Sequence, residues 1–411
     1  MKSNILLLIF FIFPALVMAQ ITSSPYTIYG FGKMENKGIS VNQALGGTGI
    51  ALQSKNSLNN LNPASYSGID SLSFLFEFGV FGQRTYYSNF EKTQKKFDAG
   101  FNYLAIGFRF NKWWAASLGV TPYSSIGYTI NSTSQVVGEQ SDYLKVYKGS
   151  GGLNQFYFGN AFRLTKNISV GVNASYFFGV IQQGEISYIT QSQNTITYDI
   201  EKTKNIHHFY FDYGLQYAIQ PGNLRYVLGL TYGNKMEWNS SYNENLYYKG
   251  DTVNITNKTE PFLLPEKYGV GLAVEKANKL RIGLDYSLNK WSELNLAIPS
   301  VKSEDSRRLS IGGEYTPGTG RGNDAFLKRL YYRIGASYEK SYLVIDNEPM
   351  NSATFDIGVG IPLRGSLSMM NISVEYGDFG TSNHGLIKEN YWLININASL
   401  HDLWFMKRKF N

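Results

Sequence analysis

Hydrophobic and polar residues alternate with a period of two along most of this chain. In "KLRIGLDYSLNK", residues 279–290, Leu280, Ile282, Leu284, Tyr286 and Leu288 fall on one face, and Arg281, Gly283, Asp285, Ser287 and Asn289 on the other. That is strand alternation. The stretch "NISVGVNASYFF" does the same: Ile168, Val170, Val172, Ala174, Tyr176 and Phe178 oppose Ser169, Gly171, Asn173 and Ser175. The pattern recurs in "EKYGVGLAVE", "RLSIGGEY", "LYYRIGASYEK" and "ENYWLININASL". These segments run to about ten residues or more, longer than the usual globular strand and long enough for a tilted strand to cross a bilayer.

The alternation places strands near 71–88, 97–110, 114–131, 153–164, 167–189, 199–219, 224–240, 262–276, 279–292, 305–316, 328–344, 349–362, 367–380 and 388–403. That is about fourteen, and an even count suits a closed antiparallel barrel. "FNKWW", "LTKN", "QPGN", "EKANK" and "LRGS" read as tight turns. Longer polar links fall near 131–152, 190–200, 240–260 and 292–306. Short turns belong on the periplasmic side and long loops outside. The link 317–327, "PGTGRGNDAFL", departs from this, because parity puts it on the periplasmic side although it is not short.

The tryptophans bear on whether the barrel meets lipid. Trp392 and Trp404 share a parity, with Ile394, Ile396, Ala398 and Leu400 between them. Twelve residues tilted near 45° cover roughly 28 Å along the membrane normal, which matches an apolar band with an aromatic girdle at each edge. Asn395, Asn397 and Ser399 then face the lumen. Trp113, Trp114, Trp238 and Trp291 also sit near strand ends and are expected in the girdle.

Composition narrows the class further. Charged residues make up 17% and aromatic residues 15%, with no cysteine. The charge content is below that of a typical soluble domain. Without cysteine there is no lipoprotein anchor, disulfide scaffold or thiol chemistry. Residues 1–19, "MKSNILLLIFFIFPALVMA", read as a cleaved signal peptide. No later apolar run is long enough for a transmembrane helix. The net charge of +7 is spread along the chain, which does not point to nucleic acid.

The segment before the first strand, residues 20–70, contains "LGGTGIALQSKNSLNNLNPASYS". That stretch, residues 45–67, is rich in Gly, Asn and Ser and carries one charge, Lys55. A segment inside a polar lumen needs small residues for close approach and short amides to pair with the wall. Asn62 and Pro63 form a compact turn, with Asn62 capping and Pro63 fixing φ. The lumen-facing charges Arg281, Asp285, Arg308, Glu314, Arg333, Glu339 and Glu375 lie on neighbouring strands. They read as paired braces of the wall and the lumenal segment, with a polar track for a substrate head group as the alternative.

"ALGGTGIALQSKNSLNNLNPASYS", "LPEKYGVGLAVEKANKLRIGLDYSLNKW" and "LIKENYWLININASLHDLWFMKRKF" resemble the FadL-like outer-membrane transporters, in their Bacteroidetes branch. The resemblance implies an all-β, fourteen-stranded antiparallel transmembrane barrel spanning 71–405, with residues 20–70 as a hatch in its lumen. A basic tail, 406–411, follows. It implies passive uptake of hydrophobic or amphipathic molecules such as long-chain fatty acids, entering from outside and leaving sideways into the membrane. Gly46, Gly47, Gly49, Asn62, Pro63 and Ala64 then belong to the hatch.

Little in the sequence suggests catalysis. His207 and His208 are adjacent on a strand and point to opposite faces, and no nucleotide or catalytic motif is present. No metal or cofactor is expected. The expected partners are outer-membrane lipid and a hydrophobic small molecule in the outer membrane of a Gram-negative bacterium. A rival expectation makes the barrel a structural subunit of a protein-secretion or barrel-assembly complex, with envelope proteins as its partners.

Overall fold

In a bilayer every strand N–H and C=O must find a partner within the protein, so a sheet can span it only by closing on itself. The computed structural model describes residues 24–403, apart from 36, 91, 136–141, 192–193, 249–250, 277–278, 295–297, 299, 319–323 and 364–366. The expected signal peptide, Trp404 and the expected basic tail lie outside the described residues. The wall runs through β2 (Ser73–Ser88), β3 (Thr93–Arg109), β4 (Trp114–Gln135), β5 (Asp142–Arg163), β6 (Ile168–Gln191) and β7 (Asn194–Ile219). It continues through β8 (Leu224–Gly233), β9 (Met236–Tyr248), β10 (Asp251–Leu264), β11 (Lys267–Lys276) and β12 (Leu280–Asn289). It is completed by β14 (Ser306–Tyr315), β15 (Tyr331–Ile345), β16 (Glu348–Pro362), β17 (Met369–Phe379) and β18 (Lys388–Leu403). β18 pairs with β2 from Lys388↔Ser88 to Leu403↔Ser73 and shuts the barrel.

The wall is a closed antiparallel barrel of fourteen strands. Two of these strands are each broken in two. β8 continues into β9 past Asn234 and Lys235, and β10 continues into β11 past Pro265 and Glu266. Proline cannot donate a ladder hydrogen bond, which suits it to such a break. Below the breaks β8 pairs with β7 and β11. Above them β9 pairs with β7 and β10. The short β13 (Val301–Ser303) pairs with the outer end of β15, and β1 (Lys33–Met34) lies inside, paired with Ser124 and Ser125 of β4.

The segments expected as long polar links at 131–152, 190–200 and 240–260 are largely strand. β4 and β5 pair out to Gln135↔Asp142, and β6 and β7 out to Gln191↔Asn194. These hairpins rise above the apolar band. Water meets both faces of the sheet there, so no apolar stripe marks the strands in the sequence.

The inner faces carry Ser, Asn, Gln, Gly and charged residues, and the outer faces carry the apolar ones. Ile394, Ile396 and Leu400 are exposed on the outside, while Asn395, Asn397 and Ser399 are buried inside. Trp392, 51% exposed, and Trp113, 49% exposed, lie on the outer face. Trp114 stacks beside Trp113 and Phe162. Trp238 and Trp291 are not in the girdle: they are 8% and 3% exposed and sit in an aromatic cluster inside the extracellular mouth. Trp238 follows the break after β8, which resets the alternation. Trp291 shares the inward parity of Arg281 and Asp285.

Candidate functional site

Residues 24–70 pass through the lumen. At the extracellular end, Pro25–Ile28 form a 3-10 turn. The Tyr26 hydroxyl donates to Ile387 O at 2.7 Å and accepts from Ile387 N at 2.8 Å. Burial pushes its pKa up to about 12. Phe31 then inserts among wall aromatics, 4.4 Å from Phe262 and 5.7 Å from Trp291 between ring centroids. Trp291 stacks on Tyr342 at 4.9 Å and Trp238 on His208 at 4.6 Å. This cluster covers the mouth.

Deeper in, a 3-10 turn, Ser40–Leu45, ends on Gly46 in the left-handed region, at φ 66°, and Gly47 continues there at φ 75°. Glycine holds that conformation without strain. Arg308 donates to Gly46 O at 2.8 Å. Asp285 accepts from Gly49 N at 2.6 Å and from Ile50 N at 2.8 Å. Asn62 caps the 3-10 turn Pro63–Gly68 by accepting from Ala64 N at 3.0 Å. Its amide also donates to Ile50 O at 2.8 Å and to Leu215 O of the wall at 3.3 Å. Pro63 and Ala64 are buried against Gly171, where a Cβ would strike their backbone. The wall glycines Gly229, Gly312 and Gly335 meet the backbone of Ile50, Leu45 and Gly46 in the same way, and Gly214 meets the Asn62 side chain.

The seven lumen charges all point inward. Glu314 stands between two guanidinium groups, accepting from Arg281 Nη2 at 2.6 Å and from Arg333 Nε at 2.7 Å. Arg281 also donates to Gln53 O at 3.1 Å, and Arg333 to Asn371 Oδ1 at 2.7 Å. Glu375 pairs with Lys37 of the lumenal segment and accepts from the Tyr391 hydroxyl at 2.8 Å. Glu339 lies opposite Arg308 in register. Arg281, Asp285, Arg308 and Glu375 therefore touch the hatch directly, and Arg333 acts through Glu314.

Several residues that hold the segment were missed in the sequence. Glu77 accepts from Leu58 N at 3.1 Å, Gln216 donates to Ile50 O at 2.9 Å, Arg109 to Ile69 O at 2.9 Å and Arg163 to Ser67 O at 2.6 Å. Glu77 had a signal: it is the lone charge in "SFLFEFGVF" and shares the inward parity of Leu75. Of the histidines, His401 meets Ser73 Oγ at 2.6 Å near the periplasmic rim, and His384 pairs with Glu348 in an outer loop at 3.3 Å. Among the described residues no group of three or more His, Asp or Glu could hold a metal ion.

Between the aromatic mouth and the lower hatch lies a cavity of about 370 Å³. Its lining mixes Tyr, Phe and Leu side chains with Lys33, Lys37, Asp212, Lys267 and Glu389. Lys267 lies over the rings of Tyr123 and Tyr210, 4.7 and 5.1 Å from their centroids. Phe101 and Asn102 of β3 and Thr121 and Pro122 of β4 also line it. They flank a seam. β3 pairs with β4 only from Leu104↔Val120 to Arg109↔Ala115; above that level β3 is paired with β2, and β4 with β5 and, at Ser124 and Ser125, with the lumenal β1. β4 bulges at the seam, between Pro122 and Ser124, with the buried Tyr123 in the bulge.

Two predictions follow from the hatch contacts. Glu314→Gln leaves the buried Arg333 and the half-buried Arg281 guanidinium groups facing a neutral amide. Breaking a buried pair costs about 3–5 kcal/mol, so the variant barrel is expected to unfold at lower urea concentration, read by heat-modifiable migration on a gel. Gly335→Val drives a side chain into Leu45 and Gly46. Protease is expected to cut this variant within residues 40–50 while the barrel stays intact; unchanged protection would show that the hatch does not depend on that contact.

A family model described as BamG matches residues 1–411. Among curated proteins, none matches the sequence. Among solved structures, a Pseudomonas aeruginosa FadL homologue aligns at 12% identity over 90% of this chain and 99% of its own, with a TM-score of 0.61. The P. putida toluene transporter TodX aligns at 16% identity over 90% of this chain and 100% of its own, with a TM-score of 0.58. The Ralstonia pickettii toluene transporter TbuX aligns at 14% identity over 89% and 99%, also with a TM-score of 0.58. The likeness is one of fold: the chain shares the FadL-like β-barrel architecture of these structures. Matched over its whole length, the chain belongs to the BamG family.

Proposed function

We propose that this barrel is a structural subunit of an outer-membrane barrel-assembly complex. The observation that carries the reading is the state of the lumen. Wall charges and amides hold the hatch main chain at Gly46, Gly49, Ile50, Gln53, Leu58, Ser67 and Ile69. An aromatic cluster covers the mouth. The cavity between them is lined by charges of both signs, which suits a hydrocarbon poorly. The BamG designation of the family fits a barrel-assembly role and supports the same reading.

The unpaired β3–β4 seam favours a second reading, passive uptake of an amphipathic molecule that leaves sideways into the membrane. The fold shared with the toluene transporters supports it. An acidic or basic head group could meet the cavity charges, and a fatty acid is one molecule with that chemistry.

The two readings separate under depletion of the chain. The subunit reading expects the folded, heat-modifiable fraction of other outer-membrane barrels to fall, and expects the native chain to co-purify in stoichiometric amount with a barrel-inserting partner. Normal folding of other barrels, together with lipid or hydrocarbon recovered from a partner-free chain, would support uptake instead.

A further inference from the structure

The apolar band on the outside of the barrel is not of one height. On β6 the outward apolar positions run without interruption from Ile168 to Val180, a span of twelve residues, with Gln182 above. On β7 they run from Phe209 to Ile219. On β14 the band begins at Leu309 and ends at Tyr315, and on β15 it runs from Tyr338 to Tyr332, six residues in each case. At about 3.3 Å per residue and a tilt near 45°, these spans are roughly 28 Å beside β6 and roughly 14 Å beside β14 and β15. The two walls are far apart around the ring, with β8, β11 and β12 between them on the shorter way.

The upper edge of the short band is set by cations. Arg307 and Lys340 are cross-strand partners, both on the outward face. Lys340 pairs with Glu304 at 2.6 Å. Two cations side by side on a sheet repel unless an anion lies between or above them; Glu304 is one such anion, for Lys340, and a lipid phosphate would supply another to Arg307. The lower edge is set by a helical turn, Phe326–Arg329, which exposes Phe326 and Leu327 beside Lys328 and Arg329. The Tyr332 hydroxyl donates to Leu327 O at 3.1 Å and ties this turn to the wall. Apolar tips flanked by cations are the pattern of an interfacial anchor.

A flat bilayer centred on the barrel would place the backbone of Arg307 and Lys340 about 2 Å inside the hydrocarbon, and Leu309 and Tyr338 deeper. A short band is met by thinning the bilayer. We infer that the β14–β15 wall thins the membrane beside it, drawing outer-leaflet phosphates down to Arg307 and Lys340, while the β6–β7 wall meets a bilayer of full thickness. The inference goes beyond the subunit reading and does not rest on it. A thinned patch is where a new strand would cross the least hydrocarbon.

The chain has no cysteine, so single spin labels can be placed at will. Leu309→Cys, Tyr338→Cys and Val180→Cys would be labelled in the full barrel in phosphatidylcholine–phosphatidylglycerol vesicles. Oxygen and nickel accessibility would then give the depth of each label. All three labels are expected at phosphate level. A flat bilayer centred on the barrel instead places the labels at 309 and 338 about 7 Å inside the hydrocarbon, and that result would overturn the inference. Adding Arg307→Leu and Lys340→Leu releases the phosphates, so the labels at 309 and 338 should move deeper while the one at 180 stays. If that double variant fails to fold, the depths in the parent barrel still decide. Labels at 309 and 338 shielded from both reagents in native membranes would mean that a protein covers this wall, which would also overturn the inference.

Discussion

The main chain of the hatch must find hydrogen-bond partners inside a closed barrel, and most of the lumenal architecture follows from that need. Between Gly46 and Ile69 the chain forms only short 3-10 turns and loops, which leave many N–H and C=O groups unpaired within the segment. A buried backbone group without a partner is costly. The wall supplies partners: Asp285 to two N–H groups, Glu77 to another, and Arg308, Arg281, Arg163, Arg109 and Gln216 to carbonyls. Charge-assisted bonds of this kind are among the stronger ones.

The charges that serve the hatch must themselves be paired. Glu314 lies between Arg281 and Arg333, Arg333 also donates to Asn371, and Glu375 joins Lys37 to Tyr391. Close approach completes the arrangement. Wall glycines at 171, 214, 229, 312 and 335 have the hatch backbone or Asn62 where a side chain would otherwise stand. Bonding from many strands at once argues for a hatch that is part of the wall's stability. The same bonding narrows the passable lumen to a polar cavity beneath an aromatic cover.

The barrel is asymmetric in two respects. The β4–β10 side rises far above the band as paired hairpins, while β12 and β14 stop after ten residues each. The outer apolar band also shortens on the β14–β15 side. Function at a membrane surface depends on such differences around the ring, because a uniform cylinder offers no preferred side to lipid or to a neighbouring protein.

The barrel itself was legible in the sequence. Strand alternation has a period of two whatever the register, so the inward faces of Arg281, Asp285, Arg308, Glu314, Arg333, Glu339 and Glu375 could be assigned from parity alone. The glycine and asparagine content of residues 45–67 likewise marked a segment built for close contact in a polar space. The tertiary structure decided the rest. Trp238 and Trp291 look like girdle residues by position, yet a strand break turns the first inward and parity the second, and both cover the mouth. The strands above the membrane carry no apolar stripe, since water lies on both of their faces, and only pairing reveals them. Which charge meets which hatch carbonyl also depends on the lateral order and stagger of strands distant in sequence. Alternation tells a side chain which face it is on; it carries no information about its height in the barrel or the group across the lumen.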